Sequence, residues 1–241
     1  RDMAEAVENV LKSYGVSVIT GAGLKEIKEG TAVYTKNGEE DTLDGDAILL
    51  ATGRGPNTEG LHAERAGVEL TKRGAVVTDK HLRTTAENIW AAGDVCGNLQ
   101  FTYISLDDSR IILSDMQGDG SRTTENRGAF AYSVFMEPSF SRAGLSEKEA
   151  ADKGLNYRVV RMNTDMIPKA KVLRKTTGML KAVIDKDSGK IFGAALFCPE
   201  SYEIINMVKL AMDHDLDYTV LRDFIYTHPT MSEGLNDLFA L

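Results

Sequence analysis

The sequence predicts an α/β region followed by an α+β region whose sheet is mainly antiparallel. Two observations carry this. The apolar runs at residues 47–51 (AILLA) and 89–92 (IWAA) each end in a glycine-bearing loop, as buried strands do when their carboxyl ends open toward a ligand. Strand candidates at 132–136, 157–163, 179–185 and 190–197 are instead interleaved with helices at 147–153 and 202–214, the mark of an α+β unit.

Taken in order, Met3, Ala6, Val7, Val10, Leu11 and Tyr14 recur at helical spacing and Gly15 supplies the stop. Residues 16–19 (VSVI) read as a strand. Asn37-Gly38 is a strong hairpin signal between residues 32–35 and 41–43, so a small meander is expected beside a parallel sheet. The nearby Gly21-Ala22-Gly23 lacks the third glycine of a dinucleotide fingerprint and reads as a turn. Residues 102–116 have helical length and spacing. The polar stretch 121–127 lacks apolar periodicity and marks a domain boundary. Asp187-Ser188-Gly189 turns the last hairpin, Ser146 with Glu149 forms a capping box, and Thr230 with Glu233 repeats its spacing. Met207, Leu210 and Ala211 share one helix face, and Met162 and Met166 flank a strand end; these read as packing.

With 241 residues, 42% of them hydrophobic, the chain can bury one large core or two modest ones. Its 36 acidic against 28 basic residues give a net charge of -8 without a dense basic block, which argues against nucleic acid and anionic membrane as partners. No apolar run approaches the roughly 18 residues of a membrane span, and no charged-then-apolar leader precedes the first helix, so we expect a cytoplasmic protein. Cys96 and Cys198 match neither a short redox motif nor metal-ligand spacing and read as packed thiols. His62, His81 and His214 lack neighbours at ligand spacing, so no metal site is expected.

Two places could carry chemistry. Gly93-Asp94 closes an apolar run, where a carboxylate can accept hydrogen bonds from sugar or ribitol hydroxyls; the alternative is that Asp94 merely caps a turn. Phe101 and Thr102 open the helix that follows, whose first amide groups carry the positive end of its dipole toward the same loop. The other place is His228, five residues before Glu233. On spacing alone it is equally a histidine preceding a short helix, with Glu233 a capping glutamate.

The motif ATGRGPN at 51–57, residues 85–95 ending in AAGDV, and HPTMSE at 228–233 together resemble the ordered signatures of the class I pyridine nucleotide-disulfide oxidoreductases. Residues 179–193 are similar to the sheet of that family's dimerisation domain. The resemblance implies an α/β remnant of a flavoprotein with two dinucleotide-binding domains, followed by an α+β dimerisation domain. It places the C-terminal part of the NAD(P)-binding domain at 1–55, the C-terminal part of the FAD-binding and central domain at 56–120, and the dimerisation domain at 124–241. Thr52, Gly53, Arg54, Gly93, Asp94, Phe101 and Thr102 are then expected at the FAD. His228 becomes the catalytic acid–base and Glu233 the group that fixes its tautomer. A base near neutral pH is what thiol–disulfide exchange needs, to hold the attacking thiol as thiolate and then protonate the leaving one.

In the family the histidine serves the partner subunit's disulfide, so the resemblance implies a homodimer, and it implies a cis bond between His228 and Pro229. The family commonly has a second histidine two positions earlier, where this chain has Tyr226. Both glycine fingerprints and the paired redox cysteines are missing from the 241 residues. We therefore expect the C-terminal part of an enzyme that uses FAD and NAD(P)H, inactive alone, with retention of FAD left open. Residues 97–108 are most similar to the subgroup linked to defence against reactive chlorine and hypothiocyanous acid, which makes the substrate a small-molecule oxidant or disulfide. The alternatives are a lipoamide or glutathione reductase-like enzyme, a flavin-linked oxidase or peroxide reductase, and a non-enzymatic dimerisation module.

Overall fold

A computed structural model describes residues 2–241, which divide into two units: Thr20–Arg127, and Gly128–Leu241 joined by the segment ending at Ile19. The division falls at Arg127/Gly128, beside the polar stretch. Among the described residues no helix is long and apolar enough to cross a membrane.

In the unit Thr20–Arg127, strands β1 (Ala22–Lys28), β2 (Thr31–Lys36) and β3 (Glu39–Asp44) form an antiparallel meander. Asn37 and Gly38 both take positive φ, 53° and 85°, and Lys36 pairs with Glu39 across the turn. This is the two-residue hairpin whose twist matches the strands it joins. Long loops crossed by isolated bridges lead to helix α2 (Thr102–Gln117), where Leu82, Cys96 and Ile111 form a small core.

Three expected strands do not form, one of them in the segment ending at Ile19 and two in the unit Thr20–Arg127. Residues 16–19 and 47–51 make no ladder, and residues 89–92 make only the bridge of Trp90 to Arg83. Every strand pairing among the described residues is antiparallel. A parallel strand is stabilised by neighbours on both sides and layers on both faces; with none of these, Leu49 stays 89% exposed and its neighbours Ile48 and Leu50 are also open to solvent.

The other unit is built on a five-stranded antiparallel sheet in the order β4-β5-β8-β7-β6. Its strands are β4 (Ala131–Val134), β5 (Phe140–Gly144), β6 (Tyr157–Asn163), β7 (Met179–Asp185) and β8 (Ile191–Phe197). β6 and β7 have the expected bounds. β5 was not expected, because FSRAG reads as polar. It is held by hydroxyls instead: the fully buried Ser141 Oγ lies 2.7 Å from Ser133 Oγ and 2.8 Å from Ser201 Oγ.

The period of two along β7 and β8 sorts the sheet into two faces. Leu180, Ala182, Ala194 and Leu196 pack into the main core with Ile204, Ile205 and Val208 of helix α5 (Ser201–Asp213) and Leu235, Leu238 and Phe239 of helix α7 (Gly234–Ala240). On the other face Phe197 meets Met3 and Val10 of helix α1 (Asp2–Ser13), with Ala195 and Met179 beside them. Lys181 shares that face, 8% exposed at its side chain, and its ammonium reaches both Asp2 carboxylate oxygens at 2.9 Å and Glu147 at 2.5 Å. Three short helices complete the unit: α3 (Glu147–Asp152), capped by the expected Ser146–Glu149 box, α4 (Pro168–Leu173), and α6 (Thr219–Asp223).

Candidate functional site

The site residues expected from sequence fall in both units, and each group is described within its own. In the sheet-bearing unit, α6 ends at Asp223 and residues 224–233 lead to α7. Phe224 and Tyr226 meet edge-on at 4.9 Å between ring centroids, and the Tyr226 hydroxyl donates to Leu221 O at 3.0 Å. Burial pushes that phenol up to about 12. The peptide bond between His228 and Pro229 is cis, as the resemblance implied.

His228 Nδ1 lies 2.8 Å from Glu233 Oε2. An ionised carboxylate only accepts, so Nδ1 carries the proton and Nε2 is left as an acceptor. The ring is 72% exposed while the glutamate is 14% exposed. The buried member thus orients the exposed one, and the basic nitrogen faces outward. The capping-box spacing of Thr230 and Glu233 is not used: no side chain caps α7, the Thr230 hydroxyl donates to Thr227 O at 2.7 Å, and Glu233 is committed to the imidazole. Glu233 Oε1 is buried and finds no hydrogen-bond partner among the described residues.

In the other unit, Gly93 takes φ 74° and its N–H donates to Asp108 Oδ2 at 2.8 Å, which ties the loop to the second turn of α2. Asp108 also accepts from Arg127 Nη2 at 2.7 Å, and Asp107 pairs with Arg122 and Arg127. Asp94, the next residue, keeps a half-open side chain whose Oδ2 is 3.5 Å from Arg54 Nη1. Arg54 is exposed, and Thr52 and Gly53 lie on the surface beside it. Phe101 is the extended N-cap of α2 and Thr102 its first residue; no side chain caps that end and no acidic residue stands in its first turn. Of the seven expected cofactor residues, the structure therefore joins Arg54 to Asp94 by contact and Gly93 to α2 by hydrogen bond.

Asp107, Asp108, Arg122 and Arg127 carry this geometry and were not foreseen as site residues. Their signal is weak: two adjacent acids in a helix normally face water, and only burial makes their cations obligatory. Cys96 closes the same loop, and burial, with the nearby Asp108 charge, pushes its thiol up to about 11.

Two family models match the chain: pyridine nucleotide-disulphide oxidoreductase over residues 1–109, and the dimerisation domain of the same family over residues 130–239. A probable pyridine nucleotide-disulfide oxidoreductase, RclA of Escherichia coli K12, is 47% identical over 241 residues, covering 100% of this chain and 55% of the relative. A mercuric reductase of Staphylococcus aureus is 34% identical, covering 97% of this chain and 43% of the relative. Among solved structures, the HOCl-induced flavoprotein disulfide reductase RclA from Escherichia coli superposes with a TM-score of 0.91 at 46% identity, covering 100% of this chain and 55% of that one. The chain spans about half the length of the relatives it matches.

Proposed function

The chain belongs to the pyridine nucleotide-disulphide oxidoreductase family, and we propose that it contributes the flavin-closing segment, the dimer face and the acid–base pair of an FAD-dependent reductase. The reductant is NAD(P)H and the substrate a disulfide, hypothiocyanous acid or a reactive chlorine species. The observation that carries this reading is the 2.8 Å contact that fixes His228 with Nε2 open to solvent.

Asp94 would hold sugar or ribitol hydroxyls, and Gly93, Phe101 and Thr102 would bring backbone amides to the flavin ring, with Thr52, Gly53 and Arg54 at its edge. The half-open Asp94 and the uncapped, acid-free start of α2 suit such a group. When bound, the flavin would pass reducing equivalents from the nicotinamide to the redox centre.

His228 Nε2 would take the proton of an attacking thiol, Glu233 would stabilise the imidazolium, and the same proton would return to the leaving thiolate. By the family resemblance the thiols served would be the partner subunit's; Cys96 and Cys198 are both buried, and burial pushes Cys198 up to about 12, so neither suits that part. Fully exposed Phe135 and nearly fully exposed Ile225 would be covered in the homodimer. On this reading the 241 residues alone have no reductase activity, the domain limits are 1–55, 56–120 and 124–241, and the enzyme works in the cytoplasm. The exposure of His228 favours it over a dimerisation module without catalysis.

The test is a chimera in which these 241 residues replace the matching half of Escherichia coli RclA. NAD(P)H oxidation with hypothiocyanous acid or a disulfide should be restored in the chimera and absent for the 241 residues alone. His228→Ala in the chimera should lower turnover by roughly 10²–10⁴-fold. Unchanged turnover would overturn the acid–base assignment.

A further inference from the structure

Asn236 sits on α7 three residues beyond Glu233. Its side-chain nitrogen is 3.2 Å from Leu221 O, 2.7 Å from Arg222 O and 3.0 Å from Phe224 O. These are carbonyls at the end of α6 and just past it, which a helix terminus leaves without intrahelical donors. Two N–H bonds are thus shared among three acceptors, and the Tyr226 hydroxyl adds a donor at Leu221 O.

The consequence lies four residues past Phe224. His228 is mostly in solvent, so its ring is placed by the backbone that delivers it and by one hydrogen bond. That backbone leaves the end of α6, which Asn236 ties to the helix that follows Glu233. We propose that Asn236 is a positioning residue for His228: by fixing the exit of α6 to α7, it keeps Nδ1 within reach of Glu233 and so holds the ring in one tautomer. Tyr226, on the loop itself, is the second point of attachment. The consequence for turnover rests on the acid–base role proposed for His228; the placement does not.

The placement is tested without turnover, by long-range ¹H–¹⁵N correlation spectra of the 241-residue chain labelled at histidine. Wild type should show neutral His228 as the single Nδ1–H tautomer. Asn236→Leu, with the same heavy-atom branching but without donors, should lose that single-tautomer signature and give the averaged pattern of an exposed imidazole, while the signals of His62 and His214 stay put. A second measurement needs no variant: the Asn236 side-chain amide in wild type should exchange with solvent at least about tenfold more slowly than that of the exposed Asn37. An unchanged His228 tautomer in a folded Asn236→Leu chain, or an Asn236 amide exchanging like that of Asn37, would overturn the proposal. An active His228→Ala chimera would instead sink the acid–base reading and leave this placement intact.

Discussion

His228 and Glu233 are joined at 2.8 Å across a cis-proline turn, with the carboxylate sheltered and the imidazole exposed. The asymmetry separates orientation from stability, because an exposed ring contributes little packing. In the RclA chimera, Glu233→Gln should keep the shape but remove the charge that steadies the imidazolium, lowering turnover by roughly 10- to 100-fold. Thermal stability should change little. Wild-type turnover with Gln at 233 would show that the pair is not a catalytic unit.

Lys181 joins α1 to the sheet, and removing it takes its ammonium from two carboxylates, Glu147 and Asp2, the second of which keeps Arg161 at 3.4 Å. Both can partly rehydrate, so Lys181→Ala should cost about 2 kcal/mol, less than a fully buried pair would lose. Burial opposes ionisation of Asp2, but the hydrogen bonds from Lys181 and the Met3 N–H, with the charge of Arg161, hold its carboxyl below the ordinary 3.8. A depressed carboxyl stabilises the fold above its unfolded pKa, and that contribution is lost as the pH falls through the lower folded value. The difference in melting temperature between wild type and Asp2→Asn should therefore be constant above about pH 5 and close below pH 4. A gap that persists into strong acid would mean that the ion pair is not its source.

Cys96 and Cys198 carry thiols pushed up to about 11 and about 12, burial being the first cause in both. Neither supplies thiolate near neutral pH. With a chromogenic disulfide reagent at pH 7.5, the folded chain should release almost no colour and the chain unfolded in guanidinium should report both thiols. A fast-reacting thiol in the folded chain would restore one of these cysteines as a redox candidate.

What could be read from the sequence depended on whether each pattern finds a pairing strand in the structure. β6 and β7 were legible to the residue because each finds its neighbour, β6 on β7 and β7 on β8, and the core packs on the sheet they form. Residues 47–51 carry an equally clear strand pattern, but no strand pairs with them among the described residues. β5 was hidden for the opposite reason, since its buried face is serine and alanine rather than large apolar groups. Among the candidate site residues, His228, Glu233 and Asp94 were singled out through motifs. Asp108 and Asn236, which hold the backbone around them, were not, because a side chain that bonds carbonyls or a lone amide leaves no spacing rule in the sequence.

Gly97 closes the Asp94 loop at φ 68°, and a Cβ there would stand 2.6 Å from the Cβ of Ala75. Gly53 has φ 110° but open space around it. Both positions strain an L side chain, and only the first also collides with a buried neighbour. Gly97→Ala should thus combine left-handed strain with overpacking, a loss of about 2–4 kcal/mol, whereas Gly53→Ala should lose about 1–2 kcal/mol. The single tryptophan, Trp90, belongs to the same unit and donates to Asp115 at 2.9 Å, so its fluorescence in urea reports that unit's unfolding. Equal midpoints for the two variants would mean that Ala75 moves aside freely, and that the loop carrying Asp94 is softer than its hydrogen bond to α2 implies.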